Sequence, residues 1–213
     1  LLVGGCVRNG LLREPIDDID IAPAALPQRV IAIMEAAGLR TVPTGVDHGT
    51  VTVIACGKPH EVTTFRRDIE TDGRRAGVAF SEAIHEDAAR RDFTMNALYA
   101  DADGRIIDPL EGLADLRARR VRFVGAPEAR IQEDYLRILR FFRFHARYGD
   151  QTEGLDKEGL AACATLSAGI ETLSKERVGH EMRKLLAAHD PAPAVAAMAQ
   201  AGVLARILPG ATI

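Results

Sequence analysis

Cysteine is scarce in this 213-residue chain. Cys6, Cys56 and Cys163 are odd in number, lie far apart, and form no CxxC pair or Cys/His ligand spacing. That pattern argues against a disulfide scaffold or a structural zinc site and makes a reducing, cytoplasmic home the expectation. The six histidines (His48, His60, His85, His145, His180 and His189) are equally scattered, and none reads as a metal ligand or catalytic group. No apolar run approaches the roughly 18 residues a membrane helix needs, so no membrane partner is expected. A strong charge of one sign is missing too: 27 Lys+Arg stand against 30 Asp+Glu, a formal net charge of −3. Contact with nucleic acid must therefore come from local basic patches. There is no internal repeat and no low-complexity segment. With 47% hydrophobic and 27% charged residues, the composition is that of an ordinary globular protein of one or two domains. Leu1-Leu2-Val3 reads as a strand already under way, and the chain stops at Ile213 without a clear terminal element. It is expected to be part of something longer at both ends.

The pattern changes near residue 125. Before it, short β-like runs alternate with turns, at Leu1–Gly5, Ile16–Ala22, Val51–Ala55, Glu61–Phe65, Asn96–Ala100 and Arg105–Ile107. Arg8–Leu12 and Leu26–Ala37 read as helices, the second with Pro27 in its first turn and Gly38 at its end. Beyond Pro127 the pattern is helical: Glu128–Tyr148 without Pro or Gly, then about Asp156–Thr165, Ser174–Ala188 and Ala192–Ala201. The expected organisation is an α+β domain over residues 1–125 and an all-helical domain over 126–213.

Three constellations could carry chemistry. In the first, a strand ends in Gly4-Gly5 and runs into Cys6-Val7-Arg8, followed by Asp18-Ile19-Asp20. Glycines let a backbone approach a phosphate, and a helix N-terminus offers unpaired N–H groups. Residues i and i+2 of a strand share a face, so Asp18 and Asp20 would project together, an arrangement relieved by a cation such as Mg²⁺. A tight turn and an exposed acidic loop are the plain alternatives. The second is Arg90-Arg91-Asp92-Phe93-Thr94-Met95-Asn96-Ala97, where arginines suit a triphosphate and Asp92, Thr94 and Asn96 a ribose. A solvated loop over a buried Phe93 is the alternative there. In the third, Asp134, Arg137 and Arg140 fall on one arc of the helix predicted over 128–148, with Arg143 one turn further on. An Asp one turn before an Arg would orient its guanidinium toward a planar base edge; a solvated face with ion pairs would look the same.

Together these motifs resemble the class II tRNA nucleotidyltransferase and bacterial poly(A) polymerase family, within the polymerase-β-like nucleotidyltransferases. The family's GGxVRD and DxD are matched by Gly4–Asn9 and Asp18–Asp20, its RRDFTxNA by Arg90–Ala97, its EDxxRxxR by Glu133–Arg140 and its ERxxxE by Glu176–Glu181. Asp47–Thr50, Glu61–Phe65 and Asp108–Gly112 are similar to further family phrases. Two departures stand out. Asn9 replaces the family's Asp, and the family's helical body and tail are missing, leaving a head and most of a neck.

The resemblance implies a polymerase-β-like head with a mixed β-sheet and flanking helices, followed by a helical neck. It implies template-independent addition of C and A from CTP and ATP to the 3′ end of tRNA. In that scheme Asp18 and Asp20 hold Mg²⁺, and Glu61 is a candidate third carboxylate. Gly4, Gly5 and Arg8 cradle the triphosphate, and Arg91 meets phosphate or ribose, with Asp92 and Asn96 nearby. Asp134 and Arg137 read the base, while Arg140 and Arg143 support them or bind phosphate. Residues Asp68–Ser81 read as a loop that repositions during the reaction, or as a plain surface loop. Arg117, Arg119, Arg120 and Arg122 form a basic patch that could meet an RNA backbone, or a solvated face. Cys6 reads as a small buried residue. A poly(A) polymerase, an A-adding or a CC-adding enzyme would share these motifs. A Rossmann-type dinucleotide binder lacks its GxGxxG here, and a catalytically silent RNA-binding module is the remaining alternative.

Overall fold

The computed structural model describes residues 1–69 and 77–210. The expected loop over 68–81 therefore falls partly outside the described residues. They divide into two compact units, Leu1–Leu113 and Ala114–Ile213.

The first unit begins with strand β1 (Leu2–Val3), helix α1 (Gly5–Leu12), strand β2 (Asp20–Ile21) and helix α2 (Pro27–Ala36). Strands β3 (Arg40–Gly45), β4 (Thr50–Ala55), β5 (Lys58–Thr63), β6 (Arg66–Ile69) and β7 (Gly77–Phe80) follow, then helix α3 (Ile84–Ala89) and strands β8 (Tyr99–Ala100) and β9 (Ile106–Ile107). Seven strands form one mixed sheet in the order β3-β4-β5-β2-β1-β8-β9, and β6 and β7 pair antiparallel beside it. Within the large sheet the β2–β5 pairing is parallel and the others are antiparallel.

Alternation along β4 and β5 decides which face is covered. Val51, Val53 and Val62 are buried with Val30 of α2, and Ile21, Ile31 and Met34 pack around them. Asp20 and Glu61, one position out of phase with Ile21 and Val62, are register partners on the other face. The sheet thus brings two acidic side chains together on the face that α2 leaves open.

The division falls within helix α4 (Gly112–Arg117), ahead of the boundary expected near residue 125. The physical reason is that the following segment packs with the helical unit: Val121, Phe123 and Val124 are buried, and the Phe123 ring stacks on Phe141 at 5.4 Å. The second unit contains α5 (Pro127–Glu133), α6 (Leu136–Tyr148), α7 (Lys157–Thr165), α8 (Lys175–Leu186), α9 (Ala192–Gln200) and α10 (Val203–Ile207). Asp156 caps α7 through the Gly159 amide at 2.9 Å, and Ser174 caps α8 through the Arg177 amide at 3.4 Å. Helix α6 is the centre of the unit. Its Ile138, Leu139, Phe141 and Phe142 are fully buried, and it packs against α8 and α9.

The continuous helix expected over 128–148 is broken. Asp134 adopts extended backbone (φ −156°, ψ 106°), and its Oδ1 accepts the Leu136 amide at 3.1 Å. A short Asp side chain competes here for an amide that a continuing helix would have used. The paired strand over 16–22 is likewise shorter than expected, because only Asp20 and Ile21 join the ladder. Among the described residues no helix is long and apolar enough to cross a membrane.

Candidate active site

Strand β1 leads through Gly4 into α1. Gly4 has φ +72°, which favours glycine, and a Cβ there would lie 3.2 Å from Arg91 Nη1 and crowd it. The opening amides of α1 have no intrahelical acceptors, which suits them to an anion. Arg8, in the first turn of α1, is almost fully buried. Its Nε and Nη2 donate to Asn9 Oδ1 at 3.1 and 2.8 Å, and its Nη1 donates to Asn96 Oδ1. Asn9 in turn donates to the Pro15 carbonyl at 2.7 Å. The amide thus orients Arg8 as an acceptor and also makes a donor contact that a carboxylate could not.

The Arg90–Ala97 motif is not a solvated loop: residues 92–100 are buried throughout. Asp92 Oδ1 accepts the Phe93 amide and Asn96 Nδ2, both at 2.8 Å. Asp92 thus holds Asn96, whose Oδ1 accepts Arg8, so the polar atoms of both residues are engaged within the buried motif.

Arg91 is the motif residue set next to the acidic face. Its Nε and Nη2 lie 3.3 and 2.9 Å from Asp87 Oδ2, and its Nε lies 3.2 Å from the Tyr99 hydroxyl. Burial opposes its charge, yet Tyr99 and Asp87 hold its pKa above the ordinary arginine value. Burial is also the main cause of the raised Tyr99 pKa. Asp87 and Tyr99 were not singled out from the sequence. The available signal was an acid four residues before an arginine on a helix.

Asp20 feels three influences. Desolvation raises its pKa above the usual carboxylate range, the Arg91 charge lowers it, and the Asp18 charge raises it again. Asp18 lies just before β2, outside the ladder. The Asp18 carboxylate next to Asp20 makes a pair of oxygen donors of the kind a hard divalent cation takes, and Glu61 is Asp20's register partner on β5. Among the described residues no three His, Cys, Asp or Glu side chains form a ready-made metal cluster, so Glu61 is not drawn into one with the aspartates.

In the helical unit the expected Asp134–Arg137 pair is not formed. Arg137 Nη1 bonds Glu133 Oε2 at 2.5 Å and the Arg130 carbonyl at 2.8 Å, whereas Asp134 Oδ2 accepts Arg177 Nη2 at 2.7 Å. At the break before α6 the Asp134 carbonyl still accepts the Arg137 amide at 3.0 Å, but its side chain is turned to the Leu136 amide and to Arg177. Arg143 is buried and bonds Glu181 Oε2 at 2.6 Å, with its guanidinium 4.6 Å from the Phe144 ring centroid. Arg140 Nη1 lies 3.9 Å from Glu181 Oε1. In the basic patch, Arg120 and Arg122 bond the buried Asp115 at 3.0 and 2.8 Å while remaining about half exposed.

Known proteins resemble this chain over both of its units. Residues 1–122 match the family described as the Poly A polymerase head domain, and residues 154–213 match one described as a probable RNA and SrmB-binding site of polymerase A. The mitochondrial CCA tRNA nucleotidyltransferase 1 of Mus musculus is 42% identical over 186 residues, 87% of this chain and 43% of the mouse protein. A CCA-adding enzyme of Streptococcus pyogenes serotype M1 is 45% identical over 188 residues, 87% of this chain and 45% of that enzyme. The crystal structure of the Bacillus stearothermophilus CCA-adding enzyme in complex with CTP has a TM-score of 0.85 at 40% identity, covering 98% of this chain and 49% of that one. The chain thus spans less than half the length of these relatives. By its motifs, its sheet and this match over residues 1–122, the chain belongs to the poly(A) polymerase head-domain family of nucleotidyltransferases.

Proposed function

We propose that the chain carries the nucleotide-adding site of a template-independent RNA 3′-terminal nucleotidyltransferase that takes CTP and ATP and extends tRNA with C and A. The observation that carries this reading is the placing of Arg91 against the Gly4 turn, with its charge felt by Asp20. It sets a half-buried cation near the acidic face and next to a backbone suited to phosphate. The relatives named above are CCA-adding enzymes, which supports CCA as the product.

In this reading Asp18 and Asp20 hold Mg²⁺, with Glu61 alongside. The ion, when bound, would supply charge neutralisation at the α-phosphate and acidify the RNA 3′-hydroxyl. The chain's own residues do the rest. The Gly4–Gly5 turn, the first amides of α1, Arg8 and Arg91 bind and orient the triphosphate. Asn9, Asp92 and Asn96 hold Arg8 in place. Asp134 and Arg137 supply the acceptor and donors that tell C and A from G and U, after exchanging their present partners Arg177 and Glu133 for the base. Arg143 serves as support through Glu181, and Arg140 lies beside the same carboxylate. The 114–122 arginines are a surface for the RNA backbone. Free cysteines, two of them buried, fit a reducing cytoplasm.

The test is incubation with Mg²⁺, labelled CTP or ATP, and tRNA ending either at the discriminator base or after CC. Two C added to the first substrate and one A to the second, then arrest, is the expected result. Untemplated runs of A on unrelated RNA would replace this reading with poly(A) synthesis, and no incorporation would refute both.

A further inference from the structure

Asp87 is a carboxylate that neither the motifs nor the metal reading uses, yet it is 3% exposed and fully engaged. Its Oδ2 accepts the Tyr99 hydroxyl at 2.7 Å and Arg91 Nη2 at 2.9 Å. Its Oδ1 accepts the Arg66 amide at 3.2 Å, which fixes the carboxylate to the first residue of β6. Tyr99 is completely buried, held edge-on by Phe65 at 6.0 Å, and its ring lies 5.4 Å from the Arg91 guanidinium carbon. Arg91 is therefore gripped along its Nε–Nη2 edge. Its remaining nitrogen, Nη1, reaches the Asn96 carbonyl at 3.4 Å and lies against the Gly4 turn. An ion pair with one side chain buried and the other a quarter exposed contributes little net stability, so its fixed geometry calls for another reason. The grip leaves Arg91 one orientation, with Nη1 at the turn where the triphosphate is proposed to bind. Preorganising a cation in this way avoids the ordering cost on binding.

We propose that Asp87, braced by the Tyr99 hydroxyl, is a positioning residue that aims Arg91 at the nucleotide's β- and γ-phosphates. The inference rests on the reading of Arg91 as a triphosphate contact. The test is calorimetric titration of CTP, CDP and CMP with Mg²⁺ into the unchanged chain and into Asp87→Asn, Tyr99→Phe, Arg91→Ala and the Asp87→Asn/Arg91→Ala pair, each checked by thermal melting. Asp87→Asn is expected to weaken CTP about tenfold while changing CMP by no more than about twofold. Tyr99→Phe, which keeps the buried ring and so the core, should shift CTP the same way by less. The double variant should bind CTP no more weakly than Arg91→Ala alone, because both changes remove one interaction. Equal losses for CTP and CMP in Asp87→Asn, undiminished CTP binding in it, or additive losses in the pair would each overturn the positioning role while Arg91→Ala still weakens CTP. Unchanged CTP binding in Arg91→Ala would remove the triphosphate contact itself, and the proposal with it.

Discussion

Arg143 and Glu181 join α6 to α8 through a 2.6 Å contact between side chains that are each about nine-tenths buried or more. Such a pair is costly to break from one side, because the survivor stays charged and buried while losing this carboxylate or guanidinium. Glu181→Ala is therefore expected to destabilise the helical unit by about 3–5 kcal/mol. Replacing both residues with apolar ones of similar size should cost far less. Thermal or urea unfolding of the two variants checks this, and a Glu181→Ala loss no larger than the double variant's would contradict it.

Asp134 and Arg177 make an ion pair of another kind, at 2.7 Å but with side chains 33% and 49% exposed. Exposed pairs contribute at most about 1 kcal/mol. Asp134 Oδ1 also accepts the Leu136 amide, so Asp134→Ala should cost about 1–2 kcal/mol of stability, while reducing discrimination among the four nucleotides more than it weakens triphosphate binding. Competition among CTP, ATP, GTP and UTP reads this directly; unchanged discrimination would remove Asp134 from base reading.

Asp18 lies outside the β2 ladder and is exposed. Asp18→Ala should change unfolding free energy by no more than about 0.5 kcal/mol. It should lower Mg²⁺-dependent incorporation by more than about a hundredfold. Retained incorporation would remove Asp18 from the metal site.

His145 is almost wholly buried in α6, and burial lowers its pKa below the ordinary 6.5, only partly offset by the Asp150 charge. The unfolded chain then binds the proton more readily than the folded one. The stability due to neutral His145 is complete above pH 6.5 and is lost as pH falls from there toward the lower folded value. His145→Gln should flatten the melting-temperature profile below about pH 6.5. An identical slope in the variant would show that other groups set it.

Much of the fold was legible in the sequence where the pattern was local. The helix starts at Asp156 and Ser174, the Val/Thr alternation of β4 and the Gly4–Gly5 turn were all readable. Strand β3 was not, since Pro43 lies within it; it is tolerated because β3 is at the sheet edge. The break at Asp134 was hidden because Glu128–Tyr148 has no Pro or Gly, and a side-chain bond to a backbone amide leaves no mark in hydrophobic periodicity. At the site, Arg8 and Arg91 could be chosen by motif. That Asp92 and Asn96 face inward depends on the burial of 92–100, and the roles of Asp87 and Tyr99 depend on contacts between residues 87, 91 and 99 that spacing only hints at.

The most direct measurement is the binding of CTP, ATP, GTP and UTP to the chain by titration calorimetry, with and without Mg²⁺. Binding of CTP and ATP is expected to strengthen with Mg²⁺ and to exceed clearly that of GTP and UTP. Equal binding of all four nucleotides, or none in the presence of Mg²⁺, would contradict it.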